Sequence, residues 1–124
     1  MKFKTLVDNL VIIAIILNIS EKIVSYVGQK NFPETIFEGN IYTAPLAQQF
    51  GLELGHIIPL IVSLMAILLF RQIALSMPQH LERYPIRKEA MMCIVVFALL
   101  FLTVTALCVL LNNLYLVWIN LMYY

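Results

Sequence analysis

Three long apolar runs constrain this chain more than any other feature of its sequence. They cover about residues 6–27, 52–74 and 90–111. A helix needs about 20 mostly apolar residues to cross a hydrocarbon core of about 30 Å, and each run is long enough. Backbone groups in lipid must be paired within their own segment, and the runs lack the alternation of barrel strands. The sequence therefore predicts an all-α integral membrane protein with three transmembrane helices.

The composition excludes the main soluble alternatives. Hydrophobic residues make up 62% of the chain and charged residues 12%, whereas soluble domains carry about 45–50% and about 25%. A chain of 124 residues with so few polar side chains has no means of covering a water-facing surface. The net charge of +1 provides no basic patch for nucleic acid. We expect its main partner to be the lipid bilayer.

The distribution of Lys and Arg predicts the orientation. With three crossings, the N-terminus and the connection at about 75–89 lie on one side of the membrane. Six of the eight basic residues fall on that side (Lys2, Lys4, Arg71, Arg83, Arg87 and Lys88), and Lys22 and Lys30 fall on the other. Basic residues favour the cytoplasmic side, which predicts a cytoplasmic N-terminus and an outer C-terminus. The first run lacks a small-residue processing site, so we expect a retained helix.

Two further segments are apolar or aromatic and are expected on the outer side. The loop at 28–50 carries aromatic residues, which favour the membrane interface, so we expect it to lie on the membrane surface or against a partner. The uncharged C-terminal tail, 112–124, places Tyr115, Trp118 and Met122 on one helical face and Asn113 and Asn120 on another. It is interpreted as an interfacial helix, a segment docked on a partner, or a continuation of the third helix.

Four potential metal ligands are expected near the outer surface: Glu21, Glu53, His56 and Cys108. Glu53 and His56 are spaced i, i+3, as in the Glu-x-x-His pairs of di-iron bundles. Carboxylate, imidazole and thiolate together suit zinc, copper or iron. The motif occurs once, whereas di-metal bundles repeat it. We therefore favour a structural histidine bonded to Glu53, Glu21 or a loop carbonyl, with a metal ion at the outer face as the alternative.

Small residues recur at intervals of four just before and within the second run, at Ala47, Gly51, Gly55 and Ser63, with Pro59 between them. This spacing lets helix backbones approach closely in lipid. We expect the stripe to pack against the first helix or against a partner subunit.

Charged residues at the inner ends of the first two helices form a separate prediction. Asp8 lies near the start of the first run, and Arg71 lies near the end of the second. With antiparallel neighbouring helices, the two side chains reach the same side of the membrane, and we expect an interfacial ion pair. Such pairs usually contribute little to stability.

The motifs favour a structural role over chemistry. The sequence shows no nucleophile–base arrangement, phosphate loop or repeated ligand motif. We expect a small non-catalytic accessory subunit of a multi-subunit membrane complex, packing through the small residues of the second helix and the apolar tail. One alternative is a subunit that binds a metal or redox cofactor through the four residues above. A protomer of a small oligomeric transporter ranks third, because no predicted helix carries a charge at mid-depth.

Overall fold

The computed structural model describes residues 2–32 and 48–123, and this part of the chain is helical without strands. The three long helices are α1 (Phe3–Asn31), α2 (Leu52–His80) and α3 (Pro85–Tyr123). All three are long and apolar enough to cross a membrane. The predicted fold class is confirmed, and the chain is a multi-pass membrane protein. Most of the predicted outer loop, including Ala47, lies outside the described residues.

Glycine and proline mark the boundaries of α2 and α3. Gly51 precedes α2 with a φ of 95°, a conformation that residues with a side chain rarely adopt. Pro59 and Pro78 lie inside α2, which continues through both. A four-residue connection, 81–84, leads to Pro85 at the first position of α3, where the missing N–H of proline costs no hydrogen bond.

Helix α1 is the centre of the bundle. It packs against both other helices, whereas α2 and α3 make few contacts with each other. The apolar core combines α1 residues Val7, Leu10, Val11 and Ala14 with Ile67 and Ala74 of α2 and Val95 and Leu99 of α3. Because packing is the main attraction between helices in lipid, α1 holds the other two together.

Two polar contacts fix the register of α1 and α2. The Nε of Arg71 lies 2.7 Å from Oδ1 of Asp8, which confirms the predicted ion pair. The hydroxyl of Tyr26 donates to Oε1 of Glu53 at 3.1 Å. From Asp8 to Tyr26 and from Glu53 to Arg71 is 18 residues each, so the helices are antiparallel in constant register. The two contacts lie about 27 Å apart along the axis, close to the hydrocarbon thickness of about 30 Å. We call the two ends of the bundle that these contacts mark the Arg71 end and the Glu53 end.

Helix α3 runs parallel to α1. The amide of Asn113 donates to Oε1 of Glu21 at 3.0 Å. The residues that α1 and α3 contribute to the apolar core precede this pair in both helices. Counting equal numbers of residues from this pair places about 98–119 of α3 alongside 6–27 of α1. The run that hydropathy selects, 90–111, is displaced from this segment by about two helical turns.

The third helix is longer than the membrane requires. Its 39 residues extend about 58 Å, whereas the hydrocarbon core is about 30 Å thick. Tilt or extension beyond the core must accommodate the excess. The helix continues unbroken to Tyr123. Of the three interpretations of the tail, the structure therefore agrees with a continuation of the third helix.

Candidate functional site

Polar side chains concentrate in the half of the bundle near the Glu53 end. Along α1, the residues Asn18, Glu21, Lys22, Ser25 and Gln29 follow one another at intervals of one to four. The apolar core lies in the other half. In residues 2–32 and 48–123, every buried side-chain nitrogen and oxygen has a hydrogen-bond partner. This half of the bundle is therefore a hydrogen-bonded polar interior.

An ion pair lies inside this polar half. The Nζ of Lys22 is 3.8 Å from Oε2 of Glu21, and the two side chains are only 8% and 15% exposed. The other oxygen of Glu21 accepts the amide of Asn113. Glu21 precedes Tyr26 by five residues, about 7.5 Å along the axis from the Glu53 end. Ionisable groups at such depth are costly unless paired and are candidates for function by default.

A hydrogen-bond chain links α1 to the start of α2. Gln29 donates to Oγ of Ser25 at 3.2 Å, and this oxygen lies 3.3 Å from Nε2 of His56. The Nδ1 of His56 lies 2.9 Å from the carbonyl of Leu52. Because a carbonyl can only accept, Nδ1 carries a proton, and Nε2 is the ring nitrogen that pairs with the serine hydroxyl.

Ser25, His56 and the carbonyl of Leu52 follow the order of a nucleophile, a base and a group that orients the base. However, Ser25 is buried within α1, where backbone N–H groups bond within the helix. Those groups are not available to stabilise an oxyanion. The arrangement joins α1 to α2.

The four predicted metal ligands are not brought together. Glu21 and Glu53 each accept a hydrogen bond from a different side chain. His56 bonds a serine of α1 and a carbonyl of its own helix, and Cys108 is exposed on α3. Within the described parts of the chain, no group of three or more His, Cys, Asp or Glu could hold a metal ion. The carbonyl partner of His56 belongs to its own helix and not to a loop.

Only part of the predicted small-residue stripe is a packing surface. Gly55 is buried, and Pro59 and Ser63 are half-buried. Gly51 is exposed, and a Cβ added there would meet no atom within 4 Å. The role of Gly51 is therefore conformational, since it permits the positive φ that starts α2.

A groove separates α2 from α3. It consists of two adjoining cavities of about 390 and 230 Å³ that share Asn18, Ser63 and Leu102. One cavity is mainly apolar, and the other reaches Glu21 and Lys22 on α1. Its α2 wall is formed by Ser63, Ala66, Ile67 and Phe70, and its α3 wall by Ala98, Leu99, Leu102, Thr105, Ala106 and Val109. We call this space the α2–α3 groove. A molecule that lies between α2 and α3 can therefore contact the ion pair of Glu21 and Lys22.

A second opening lies between α1 and α2 at the Glu53 end. This crevice of about 330 Å³ is lined by Lys22, Ile23, Tyr26, Glu53, His56, Ile57 and Leu60. The ring of Tyr26 meets the imidazole of His56 edge-on, with centroids 5.9 Å apart and planes at 76°. The Nζ of Lys30 lies 5.6 Å from the centre of the same ring. We call this opening the Tyr26 crevice.

Sequence reasoning did not single out Tyr26, although a signal for it exists. Tyr26 and Glu53 lie the same number of residues from the predicted Asp8–Arg71 pair. That ion pair alone sets the register of two antiparallel helices and therefore places the tyrosine beside the glutamate.

The C-terminal part of α3 has the two faces that its sequence predicts. Tyr115, Trp118 and Met122 are each more than half exposed. Asn120 is buried, and Asn113 contacts α1. The register places the exposed aromatic residues near the Glu53 end, where an aromatic belt favours the membrane–water interface.

Comparison of the chain with protein-family models, with curated proteins and with solved structures gave no match in any of the three.

Proposed function

We propose that this chain is a small non-catalytic accessory subunit of a multi-subunit integral membrane complex. In this proposal, the α2–α3 groove holds a transmembrane helix of a partner subunit. The observation that carries the proposal is the open space between α2 and α3, which leaves a buried ion pair at the floor of a groove within the membrane.

The shape of the groove suits a helix. Small side chains line both walls: Ser63 and Ala66 on α2, and Ala98 and Ala106 on α3. Small residues let helix backbones approach closely in lipid, where close packing is the main attraction. From Ala98 to Val109 the groove extends about 16 Å, which is about three turns of a helix.

The polarity of the groove also favours protein over lipid tails. Asn18, Glu21, Lys22 and Thr105 line one of its cavities. Acyl chains offer these groups no hydrogen bonds, whereas serine, threonine or asparagine side chains of a partner helix do. A partner helix would therefore lower the cost of holding Glu21 and Lys22 inside the membrane.

The exposed face of Tyr115, Trp118 and Met122 provides a second contact surface in this proposal. Its position beside the membrane interface also suits a simple aromatic belt. A cross-linker at Trp118 separates the two roles, because a belt residue yields lipid adducts and a docked residue yields a protein adduct.

We propose the orientation that the basic residues favour, with the Arg71 end on the cytoplasmic side. The connection between α2 and α3 contributes Arg83, and the first turn of α3 contributes Arg87 and Lys88. Positive charge near the ends of transmembrane helices is retained in the cytoplasm.

Photo-cross-linking in native membranes tests the role of the groove. A photoreactive residue replaces Ala98 or Ala106 in the groove, or Phe97 or Val104 as matched controls on the exposed face of α3. We expect one discrete protein adduct from the groove positions and none from the controls. Equal adducts from all four positions would contradict the proposal. So would a stable lone monomer, recovered in mild detergent from membranes that give no adduct.

A further inference from the structure

The Tyr26 crevice has the form of a site for a single amphiphile. Its lower wall consists of the apolar side chains Ile23, Ile57 and Leu60. Leu60 follows Glu53 by seven residues, so the crevice extends about 10 Å from the Glu53 end toward the membrane centre. Its volume of about 330 Å³ lies at the lower end of the range for small-molecule pockets, about 300–1,000 Å³.

Opposite charges lie around Tyr26, with Glu53 lining the crevice and Lys30 beside it. The carboxylate of Glu53 accepts the hydroxyl of Tyr26, and the ammonium of Lys30 lies against the ring of the same tyrosine. The imidazole of His56 contacts the ring from α2. The carboxylate therefore lies at the hydroxyl of Tyr26 and the ammonium lies against its ring. Both charges are at the depth where lipid headgroups begin.

This charge pattern matches a zwitterionic headgroup. We propose that the Tyr26 crevice binds one glycerophospholipid with a primary ammonium headgroup, of the phosphatidylethanolamine type. The ammonium contacts Glu53, the phosphate contacts Lys30, and an acyl chain lies along Ile23, Ile57 and Leu60. The crevice changes from polar at the Glu53 end to apolar toward the membrane centre. A membrane lipid is arranged in the same direction, from its headgroup to its acyl chains.

The headgroup chemistry separates this lipid from its neighbours in a membrane. A primary ammonium offers three N–H donors to Glu53, whereas a quaternary choline offers none and a glycerol headgroup offers no cation. The site therefore requires both charges of the headgroup. This proposal does not depend on the proposed partner helix, because the crevice and the α2–α3 groove share only Lys22 among their lining residues.

Native mass spectrometry of the full chain tests the proposal. The purified protein is exposed to phosphatidylethanolamine, phosphatidylcholine and phosphatidylglycerol with identical acyl chains. We expect one retained phosphatidylethanolamine per chain, in about tenfold preference over the other two, as one charge-assisted contact allows. Equal retention of the three lipids would overturn the proposal, because it would show only the general lipid shell.

Variants locate the binding to the crevice. Ile57→Trp fills the crevice and is expected to abolish retention, whereas Ile58→Trp on the adjacent exposed position retains it. Glu53→Gln keeps an acceptor for Tyr26 but is expected to lose the preference for ethanolamine over choline. Lys30→Gln is expected to lower the retention of both the ethanolamine and the choline lipid. Equal retention by the two tryptophan variants, or an unchanged preference in Glu53→Gln, would place the lipid elsewhere and overturn the site.

Discussion

Replacing Asn113 by alanine removes the hydrogen bond that fixes α3 against α1. The amide lies 3.0 Å from Oε1 of Glu21, whose side chain is 15% exposed. Hydrogen bonds to charged groups contribute about 1.5–3 kcal/mol in soluble proteins, whereas polar contacts between membrane helices average about 0.6 and reach about 1.7 kcal/mol. Because the carboxylate is charged and mostly buried, we expect a loss near the upper membrane value, about 1.5 kcal/mol. This loss is about a tenfold shift in the unfolding equilibrium.

Reversible unfolding of the purified chain in mixed micelles measures this loss. Asn112→Ala is the matched control, because Asn112 is the exposed neighbour of Asn113 on the same helix. We expect the control to change stability by less than about 0.5 kcal/mol. A double-mutant cycle with Glu21→Gln isolates the pair itself. If Asn113→Ala and Asn112→Ala unfold alike, the parallel register of α1 and α3 is wrong.

Three further sets of substitutions test separate parts of the fold. Leu99→Ala is expected to cost about 1–3 kcal/mol, below the soluble range because lipid is itself apolar; Leu100→Ala, which faces lipid, should cost little, and equal losses would contradict the core. Gly51→Ala is expected to introduce about 1–3 kcal/mol of backbone strain, read as faster amide exchange in the first turn of α2; unchanged exchange would contradict the positive φ. Asp8→Arg and Arg71→Asp should each destabilise, and the double variant should recover stability; absence of recovery would contradict the ion pair.

The sequence is sufficient to predict the features that depend on composition. The length and apolarity of the three runs determine that they cross a membrane as helices. The Asp8–Arg71 pair was predictable because both residues lie at the same end of antiparallel neighbours. The two faces of the C-terminal part of α3 follow from helical spacing alone.

Packing determines the features that sequence reasoning did not predict. The pairing of Glu21 with Asn113 depends on how far α3 slides along α1, and hydropathy cannot set this offset because α3 is apolar over more than a membrane thickness. The partner of His56 depends on the rotation of α2 about its axis, which brings Ser25 within reach. Neither the slide nor the rotation changes the apolar pattern of a single helix.

The four candidate ligands of the metal alternative do not form one group in the described residues, for the same reason. Depth in the membrane can be estimated from a sequence, whereas the direction in which a side chain points depends on helix packing. Cys108 lies near the depth of the polar half but is exposed on α3. Glu21 and Glu53 accept hydrogen bonds from different helices.

The side of the membrane on which each end of α3 lies tests the three-crossing arrangement most directly. Cys93 and Cys108 are replaced by serine, and a single cysteine is introduced at Lys88 or at Tyr123. Intact cells are then treated with a membrane-impermeant maleimide, before and after permeabilisation. We expect the cysteine at 123 to react in intact cells and the cysteine at 88 to react only after permeabilisation. Reaction of both from the same side would show that α3 does not cross the bilayer, and the groove would then not lie within it.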